Sequence, residues 1–123
     1  MSTVDTSTEL VRSYLDAWRN GAERYDADAL RRLLAPDLDF EGPLAGHRVG
    51  AEGFIAGLRG FATLLREVHM LREVSCGDEH ALLYACETVK GAELRIAEFI
   101  TVRDGLIRAI KIVYDKGDFA ALS

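Results

Sequence analysis

One carboxyl group stands alone among apolar side chains in the second half of the sequence. Glu98 has the same parity as four neighbouring apolar residues, Leu94, Ile96, Ile100 and Val102. Because side chains alternate between the two faces of a strand, Glu98 is predicted to lie on an apolar face. A carboxyl group there either has a polar partner or stays protonated through loss of water, and both environments suit an acid–base catalyst. If the faces are reversed, Glu98 is instead a solvated surface acid.

The three histidines are the other acid–base candidates, because imidazole titrates near neutral pH. His80 lies at a predicted turn and is expected to be exposed, and His47 lies in a glycine-rich connection where a surface role is favoured. His69 neighbours Met70 in a predicted strand, so only one of the two side chains can face the interior. Apolar parity favours Met70 inside, but His69 is kept as the candidate for a catalytic base.

Aromatic side chains form the second group that indicates a binding site. Tyrosines among apolar side chains suit a flat, partly polar organic ligand that hydroxyl groups orient. Arg72 shares the parity of Met70 and is predicted to face Glu98 as a buried partner. The predicted ligand-binding residues are Trp18, Phe40, Phe54, Arg72, Tyr84, Thr88 and Tyr114. The sequence leaves open a filled core whose tyrosine hydroxyls reach water at its edge.

Composition and charge argue against several classes of function. The chain has 123 residues and a net charge of −5, which argues against a nucleic-acid partner. No apolar run reaches the roughly 18 residues that cross a bilayer, and the polar segment 1–8 does not resemble a signal peptide. We therefore expect a cytoplasmic protein with no membrane partner. The glycines form no phosphate-binding loop, and the histidines and two cysteines lack metal-ligand spacing, so we expect no cofactor and no metal.

The elements that must position these residues follow a simple order, with helices first and strands last. Apolar spacing predicts helices over 8–20, 28–34 and 54–65, and a short strand at 37–41. Thr8 is the predicted cap of the first helix, so residues 1–7 are predicted to be a flexible tail before one domain, 8–123. Runs at about 66–76, 80–89, 92–103 and 106–114 are separated by hairpin signals. The order predicts an α+β fold, with a curved antiparallel sheet packed on three N-terminal helices.

Several short motifs occur in a fixed order along the chain. They are Glu9–Trp18 in the first helix, Ala35-Pro-Asp37 before the first strand, Gly42-Pro-Leu-Ala-Gly46, Gly50, Phe99–Ile107 and Tyr114-Asp115. Their order and spacing resemble the nuclear transport factor 2-like fold and, within it, the SnoaL-like branch. The resemblance covers nearly the whole chain and implies a cone-shaped sheet with an apolar cavity at its open end. It also implies a homodimer through the outer sheet face, where Phe99, Thr101 and Val113 are predicted to lie.

Within that fold, the sequence is similar to ketosteroid isomerase at two of three functional positions. The similarity places Tyr14 on the tyrosine and Glu98 on the protonated acid of an oxyanion hole. The third position, an aspartate base before the proline that ends the first strand, is Gly42 here. An oxyanion hole without a base cannot move a proton between carbons, so steroid isomerisation by that route is not expected. His69 or a bound water is the candidate replacement for the base.

The epoxide hydrolases of the same fold differ from this sequence at their reactive residues. Their arrangement needs an arginine and an aspartate two residues apart on a middle strand, and an aspartate on the last strand. The segment 85–89 contains no arginine, and Ile112 occupies the position of the last aspartate. Epoxide hydrolysis by that arrangement is therefore not expected.

Two functions from different classes follow from these residues and from the resemblance. The first is a SnoaL-like enzyme of isomerase, dehydratase or cyclase type that acts on a hydrophobic ring compound, with Tyr14, Glu98 and His69 as catalytic residues. The second is a non-catalytic domain that binds a lipophilic ligand or simply dimerises. Conversion of a bound ligand by the pure protein distinguishes the two.

Overall fold

The computed structural model describes residues 3–121, with side chains described from Thr6 onward. Its helices are α1 (Thr3–Asp16), α2 (Ala27–Leu33), α3 (Ala51–Ala62) and α4 (Lys116–Ala120), with a 3-10 turn at Ala22–Arg24. Its strands are β1 (Leu34–Gly42), β2 (Gly46–Val49), β3 (Leu65–Cys76), β4 (Glu79–Thr88), β5 (Glu93–Arg103) and β6 (Leu106–Val113). The α+β architecture predicted from the order of elements is confirmed. None of these helices is long and apolar enough to cross a membrane.

The strands form one sheet in the order β2-β1-β6-β5-β4-β3. The four long strands β3 to β6 pair antiparallel with their sequence neighbours, as the hairpin signals predict. The exception is β1, which pairs parallel with β6. A parallel pair needs a long crossover between its strands, and here the crossover contains α3 and the rest of the sheet. The sheet is therefore mostly antiparallel rather than wholly so.

The helices pack on one face of the sheet, which we call the inner face, and the apolar core lies between the two layers. Strand β5 shows the alternation most clearly, because buried and less buried residues alternate along its length. Its buried side chains are Leu94, Ile96, Glu98, Ile100 and Val102. The predicted parity of β5 is thus confirmed, and Glu98 lies on the inner face.

The start of α1 differs from the prediction. The helix begins at Thr3, so Thr8 is an internal residue, and residues 3–7 are helical rather than a tail. Residues 1 and 2 of the predicted tail lie outside the described residues. The buried Ser7 hydroxyl lies 2.5 Å from Nε2 of the buried His80 on β4. This tertiary contact fixes the early turns of the helix, and local apolar spacing gives no sign of it.

Two short elements are absent from the sequence-based prediction. Strand β2 pairs with β1 as a hairpin, yet all four of its residues are exposed, so it lacks the apolar alternation that marks a strand. Helix α4 has only five residues, and the Asp115 carboxylate caps it by accepting a hydrogen bond from the Asp118 backbone N–H at 2.9 Å. Phe119 of α4 packs against Tyr114 and Phe61, with ring centroids 5.1 and 6.2 Å away. Both elements therefore cover the same end of the inner face.

Candidate functional site

Three polar side chains meet inside the apolar core, and we call them the carboxyl–tyrosine cluster (Tyr14, Tyr84 and Glu98). The Tyr14 hydroxyl donates to Oε2 of Glu98 at 2.6 Å, and the Tyr84 hydroxyl donates to Oε1 at 2.6 Å. None of the three side chains is more than 2% exposed. Both carboxyl oxygens therefore have a tyrosine partner, and none of the three groups depends on bulk water.

The elements bring the cluster together through their ordinary periodicities. In α1 and the turn after it, Val11, Tyr14, Leu15 and Trp18 follow helical spacing and form one buried stripe. In the sheet, Tyr84 pairs with Ile96, which is two residues from Glu98 on the same face of β5. The helix stripe and the inner face of the sheet therefore converge on the Glu98 carboxyl group.

Burial controls the protonation of the cluster. Loss of water raises the pKa of Glu98 above its ordinary value, and the hydrogen bonds from Tyr14 and Tyr84 oppose that rise only in part. Burial and the nearby Glu98 carboxyl raise the pKa of Tyr14 and of Tyr84 well above 10. Both tyrosines therefore stay protonated at every physiological pH, and Glu98 is the member of the cluster that titrates.

A count of protons shows what the cluster can do. With Glu98 ionised, the two tyrosine protons are both used in the two contacts with the carboxylate. With Glu98 protonated, three O–H protons serve the same two contacts, and one proton is left over. The neutral cluster can therefore donate one hydrogen bond or one proton to a ligand oxygen, whereas the ionised cluster has no donor to spare.

A cavity of about 590 Å³ adjoins the cluster, and all three cluster residues line it. This volume lies within the roughly 300–1,000 Å³ that is usual for small-molecule sites. Aromatic side chains dominate the wall: Trp18, Phe40, Phe54, Phe61, Tyr114 and Phe119. Three exposed lining residues, Leu44, Arg48 and Val49, come from the β1–β2 hairpin, and we call them the hairpin rim. The cavity thus has an exposed rim and a buried polar end.

Trp18 adds a second polar group near the buried end. Its side chain is 1% exposed and lines the cavity, but Nε1 has no hydrogen-bond partner among the described residues. The indole N–H lies near enough to the Tyr14 hydroxyl to oppose, weakly, the rise in the pKa of that group. A buried donor without an acceptor is costly, so this N–H is a polar group that the apolar core leaves unsatisfied.

Most of the residues predicted to line the cavity do so. Tyr14, Trp18, Phe40, Phe54, Tyr84, Glu98 and Tyr114 are all lining residues. Their catalytic or ligand-binding roles stay predictions, because placement alone does not establish a role. The position of the missing base, Gly42, is not itself a lining residue, but a Cβ there would meet two that are, at 3.2 Å from Cζ of Phe40 and 3.4 Å from Cγ1 of Ile112.

The prediction that His69 reaches the cavity is wrong. Met70 pairs with Tyr84 and occupies the inner face, so the neighbouring His69 points to the opposite, outer face. There Nε2 of His69 lies 3.5 Å from Glu67 and 3.8 Å from Glu87, both of which are carboxylates at least partly exposed. The ligating atoms of these three residues lie within 4.8 Å of one another, but exposed groups of this kind commonly occur without a metal.

The prediction that Arg72 is a buried partner of Glu98 is also wrong. Met70 pairs with Tyr84, but Arg72 pairs with Leu83, because the register shifts between the two positions on β3. The extra residue, Leu71, reverses the parity of the strand, as a β-bulge does. Arg72 is therefore exposed on the outer face, and the partners of Glu98 are the two tyrosines.

Thr88 does not line the cavity, contrary to the prediction. Its side chain is buried on β4, but its hydroxyl donates to the Ala92 carbonyl at 3.0 Å and accepts from the Ala92 N–H at 3.1 Å. Both hydrogen bonds close the turn between β4 and β5. Thr88 is therefore a structural residue of that turn.

Two notable residues were missed by the sequence reasoning. His80 was expected to be exposed but is 4% exposed and contacts Ser7, and its shared parity with Leu82 and Tyr84 was the available signal. Arg48 lines the cavity because it pairs with the inward-facing Phe40 across the β1–β2 hairpin. No signal for Arg48 was available, because an exposed strand has no apolar alternation to read.

Comparisons with known proteins agree with this architecture. The family model described as SnoaL-like domain matches residues 11–110. A solved structure from Kribbella flavida is 28% identical, covers 93% of this chain and 90% of that chain, and has a TM-score of 0.79. An NTF2-like protein from Cytophaga hutchinsonii is 18% identical over 93% and 94%, with a TM-score of 0.75. TerC, co-crystallised with polyporic acid, is 20% identical over 95% and 97%, with a TM-score of 0.77. The comparison with curated proteins finds no match.

Proposed function

The chain belongs to the SnoaL-like domain family, and we propose that its cavity binds a small hydrophobic ring compound and performs acid–base chemistry on it. The fold is nuclear transport factor 2-like, as the sequence motifs predicted. The observation that carries the proposal is the carboxyl–tyrosine cluster, a buried acid bound by two tyrosines at the end of an aromatic cavity. The co-crystal of TerC with polyporic acid supports a small organic ligand for this fold.

In the proposed reaction, the neutral cluster donates its spare proton to a carbonyl oxygen of the ligand. As electrons shift toward that oxygen, the cluster stabilises the developing negative charge or completes the proton transfer, which leaves Glu98 ionised between two tyrosine donors. The raised pKa of Glu98 favours this role, because burial stabilises the protonated acid relative to an exposed glutamic acid.

The described lining of the cavity lacks a second carboxyl group and a histidine, which limits the type of reaction. Glu98 is the single carboxyl group among the cavity-lining residues of the described chain, and no histidine lines the cavity. At the base position, Gly42 provides no side chain, and Phe40 and Ile112 fill the adjacent space. We therefore favour dehydration or cyclisation. In these reactions a water molecule or a group of the substrate can accept the proton that the substrate releases.

A non-catalytic binding domain is the second candidate, and the same missing base favours it. A cavity with one acid and no separate base can hold a ring compound without changing it. The aromatic wall and the carboxyl–tyrosine cluster serve recognition as well as they serve catalysis.

The test is a screen of ring ketones and phenols, followed by product analysis. Binding is read from the fluorescence of Trp18, the single tryptophan of the chain, which lines the cavity. For a ligand that is converted, Glu98→Gln should lower turnover by about 100-fold or more, as is usual for loss of a general acid, with a smaller effect on affinity. The matched control is Glu87→Gln, which removes a carboxylate from the outer face.

The outcomes separate the candidates. Conversion that survives Glu98→Gln unchanged would contradict the acid–base role of this residue. Tight binding without any product would favour the non-catalytic domain. Failure of every apolar ring compound to bind would overturn the proposed ligand class.

We also propose that the outer face pairs with a second copy of the chain, as the resemblance implies. Phe99 on β5 and Val113 on β6 are 47% and 53% exposed. Ala97 on β5 pairs with Val113 on one side and with the exposed Leu83 of β4 on the other. Light scattering after size exclusion should give a dimer, and Phe99→Lys should shift it toward the monomer. A monomer of the unmodified protein at micromolar concentration would refute this expectation. The cytoplasmic location also stays a prediction.

A further inference from the structure

Arg48 is the one basic side chain among the described residues that line the cavity. It lies on β2 directly opposite Phe40, whose ring is 9% exposed and lines the cavity, so both side chains point to the same side of the hairpin. Arg48 itself is exposed, whereas Glu98 is buried. The only two lining residues of the described chain with carboxyl or guanidinium groups therefore mark opposite ends of the cavity, the rim and the interior.

The charge of Arg48 is not neutralised by the protein. Its Nε donates to the Ala45 carbonyl oxygen at 3.0 Å, which anchors the side chain within the hairpin rim. No carboxylate of the described residues lies within ion-pair distance of its guanidinium group. By contrast, Arg31 contacts both Asp28 and Glu52 at about 3.0 Å. Arg48 thus leaves its outer nitrogen atoms free to bind a group that enters the cavity.

The rest of the cavity makes this charge distinctive. The lining residues of the described chain include no other arginine and no lysine or aspartate. The chain as a whole has a net charge of −5, so the unpaired positive charge of Arg48 at the rim is opposite in sign to the net charge of the protein. An anionic group would also be unfavourable deep in the cavity, beside the buried Glu98 carboxyl group and among apolar side chains.

We infer that the ligand of this cavity is an amphipathic ring compound with one anionic group, which Arg48 binds at the rim. This inference rests on the proposed function and adds the charge and the orientation of the ligand. The carboxylate or sulfonate group faces solvent, the rings lie among the aromatic side chains, and a neutral oxygen reaches the carboxyl–tyrosine cluster. Arginine suits the role because its guanidinium group binds planar oxyanions with two parallel hydrogen bonds.

The experiment compares two fluorescent probes that differ in one sulfonate. They are 8-anilinonaphthalene-1-sulfonate and its uncharged parent, N-phenyl-1-naphthylamine, and quenching of Trp18 reports binding in the cavity. Arg48→Gln should weaken the sulfonate probe about tenfold, the size expected for a charge-assisted hydrogen bond at a partly exposed site. The affinity of the uncharged parent should change by less than twofold, and Arg48→Lys should restore part of the loss.

Arg72→Gln is the matched control, because Arg72 is also exposed but lies on the outer face. It should change neither affinity, which excludes a general effect of net charge. Equal effects of Arg48→Gln on both probes, or no effect on either, would overturn the inference while leaving the proposed ligand class intact. Failure of both probes to bind the unmodified protein would overturn the proposed ligand class and this inference with it.

Discussion

Two buried polar contacts join α1 to the sheet, and they differ in what they leave unused. Ser7 meets His80 at 2.5 Å, and Tyr14 meets Glu98 at 2.6 Å, between residues 73 and 84 positions apart in sequence. All four side chains are nearly inaccessible to solvent. Only the second contact lines the cavity, because neither Ser7 nor His80 is a lining residue. Burial and hydrogen bonding therefore do not by themselves mark a functional site.

The chemical difference between the two contacts lies in the number of donors. Ser7 and His80 form a single pair, in which one hydroxyl faces one ring nitrogen, Nε2, between helix and strand. The carboxyl–tyrosine cluster has three titratable groups for two contacts, and in its neutral state one proton is available to a ligand. A surplus donor that faces a cavity is the property that separates a candidate site from a structural contact.

The largest expected effect comes from removing the shared acceptor of the cluster. Glu98→Leu leaves two buried tyrosine hydroxyls without an acceptor, so the free energy of unfolding should fall by about 2–4 kcal/mol. Urea denaturation measures the change. Adding Tyr14→Phe and Tyr84→Phe to Glu98→Leu should recover most of the loss, because no polar group then stays unpaired. A loss below about 1 kcal/mol for Glu98→Leu would mean that water in the cavity satisfies the hydroxyls.

Removing the Ser7–His80 contact should lower the stability of the protein by less than the loss of Glu98 does. Ser7→Ala removes the partner of a buried imidazole nitrogen and should lower the free energy of unfolding by about 1–2 kcal/mol. Ser13→Ala, on the exposed side of the same helix, is the control and should cost less than about 0.5 kcal/mol. Equal effects of the two substitutions would show that the Ser7–His80 contact adds nothing to stability.

The two contacts should also give stability opposite dependences on pH. Burial raises the pKa of Glu98 above 4.5, so the folded state keeps a proton that the unfolded state has lost, and this contribution disappears as pH rises through the folded pKa. Burial lowers the pKa of His80 below 6.5, although Glu73, Asp78 and Glu79 oppose the shift. Its contribution is present above pH 6.5 and is lost as pH falls through the folded pKa.

Substitutions at Glu98 and at His80 separate their two contributions to the pH dependence of stability. Relative to the unmodified protein, Glu98→Gln should gain stability as pH rises from 5 to 9, whereas His80→Gln should gain stability as pH falls toward 5. Midpoints of urea denaturation at each pH provide the measurement. A Glu98→Gln difference that is flat with pH would mean that Glu98 titrates at its ordinary value and is solvated.

The smallest expected effect is on ligand affinity, which should depend on the Tyr14–Glu98 contact but not on the Ser7–His80 contact. The affinity for 1-tetralone, a ring ketone, should fall several-fold as pH rises through the pKa of Glu98, because the ionised cluster has no spare donor. Ser7→Ala should change that affinity by less than twofold at any pH at which the protein is folded. Trp18 fluorescence measures the affinity of the unmodified protein and of the Ser7→Ala variant. A pH-independent affinity would contradict the assignment of the spare proton to this cluster.

Strand parity was the most successful guide to the site, and it failed where the backbone is irregular. Glu98 was placed correctly because β5 alternates without interruption before Thr101. Arg72 was misplaced because the register shift beside Leu71 reverses the parity of β3, and no residue type in the sequence announces a bulge. The same parity rule, applied to β4, places His80 inside, whereas its position next to the turn at Gly77-Asp78 favours an exposed side chain.

The fold was largely predictable, because the helices are amphipathic and the hairpin turns are well marked. The parts that were missed depend on tertiary contact. The first turns of α1 lie against His80 through Ser7, and β2 is ordered by pairing with β1 rather than by its own pattern. Tyr14 was associated with Glu98 through the family resemblance, since nothing local links a residue of the first helix to one on β5.

The parallel pairing of β1 with β6 has a consequence for the order in which the molecule is assembled. Strands β3 to β6 can pair as successive hairpins, each closing a short loop, whereas β1 must wait for the last strand of the sheet. Phe40 and the hairpin rim belong to β1 and β2, so this part of the cavity wall joins the rest of the sheet only through the β1–β6 pair. During synthesis on the ribosome, the cavity is therefore incomplete until β6 has emerged, together with Tyr114 and Phe119, which follow it in the sequence.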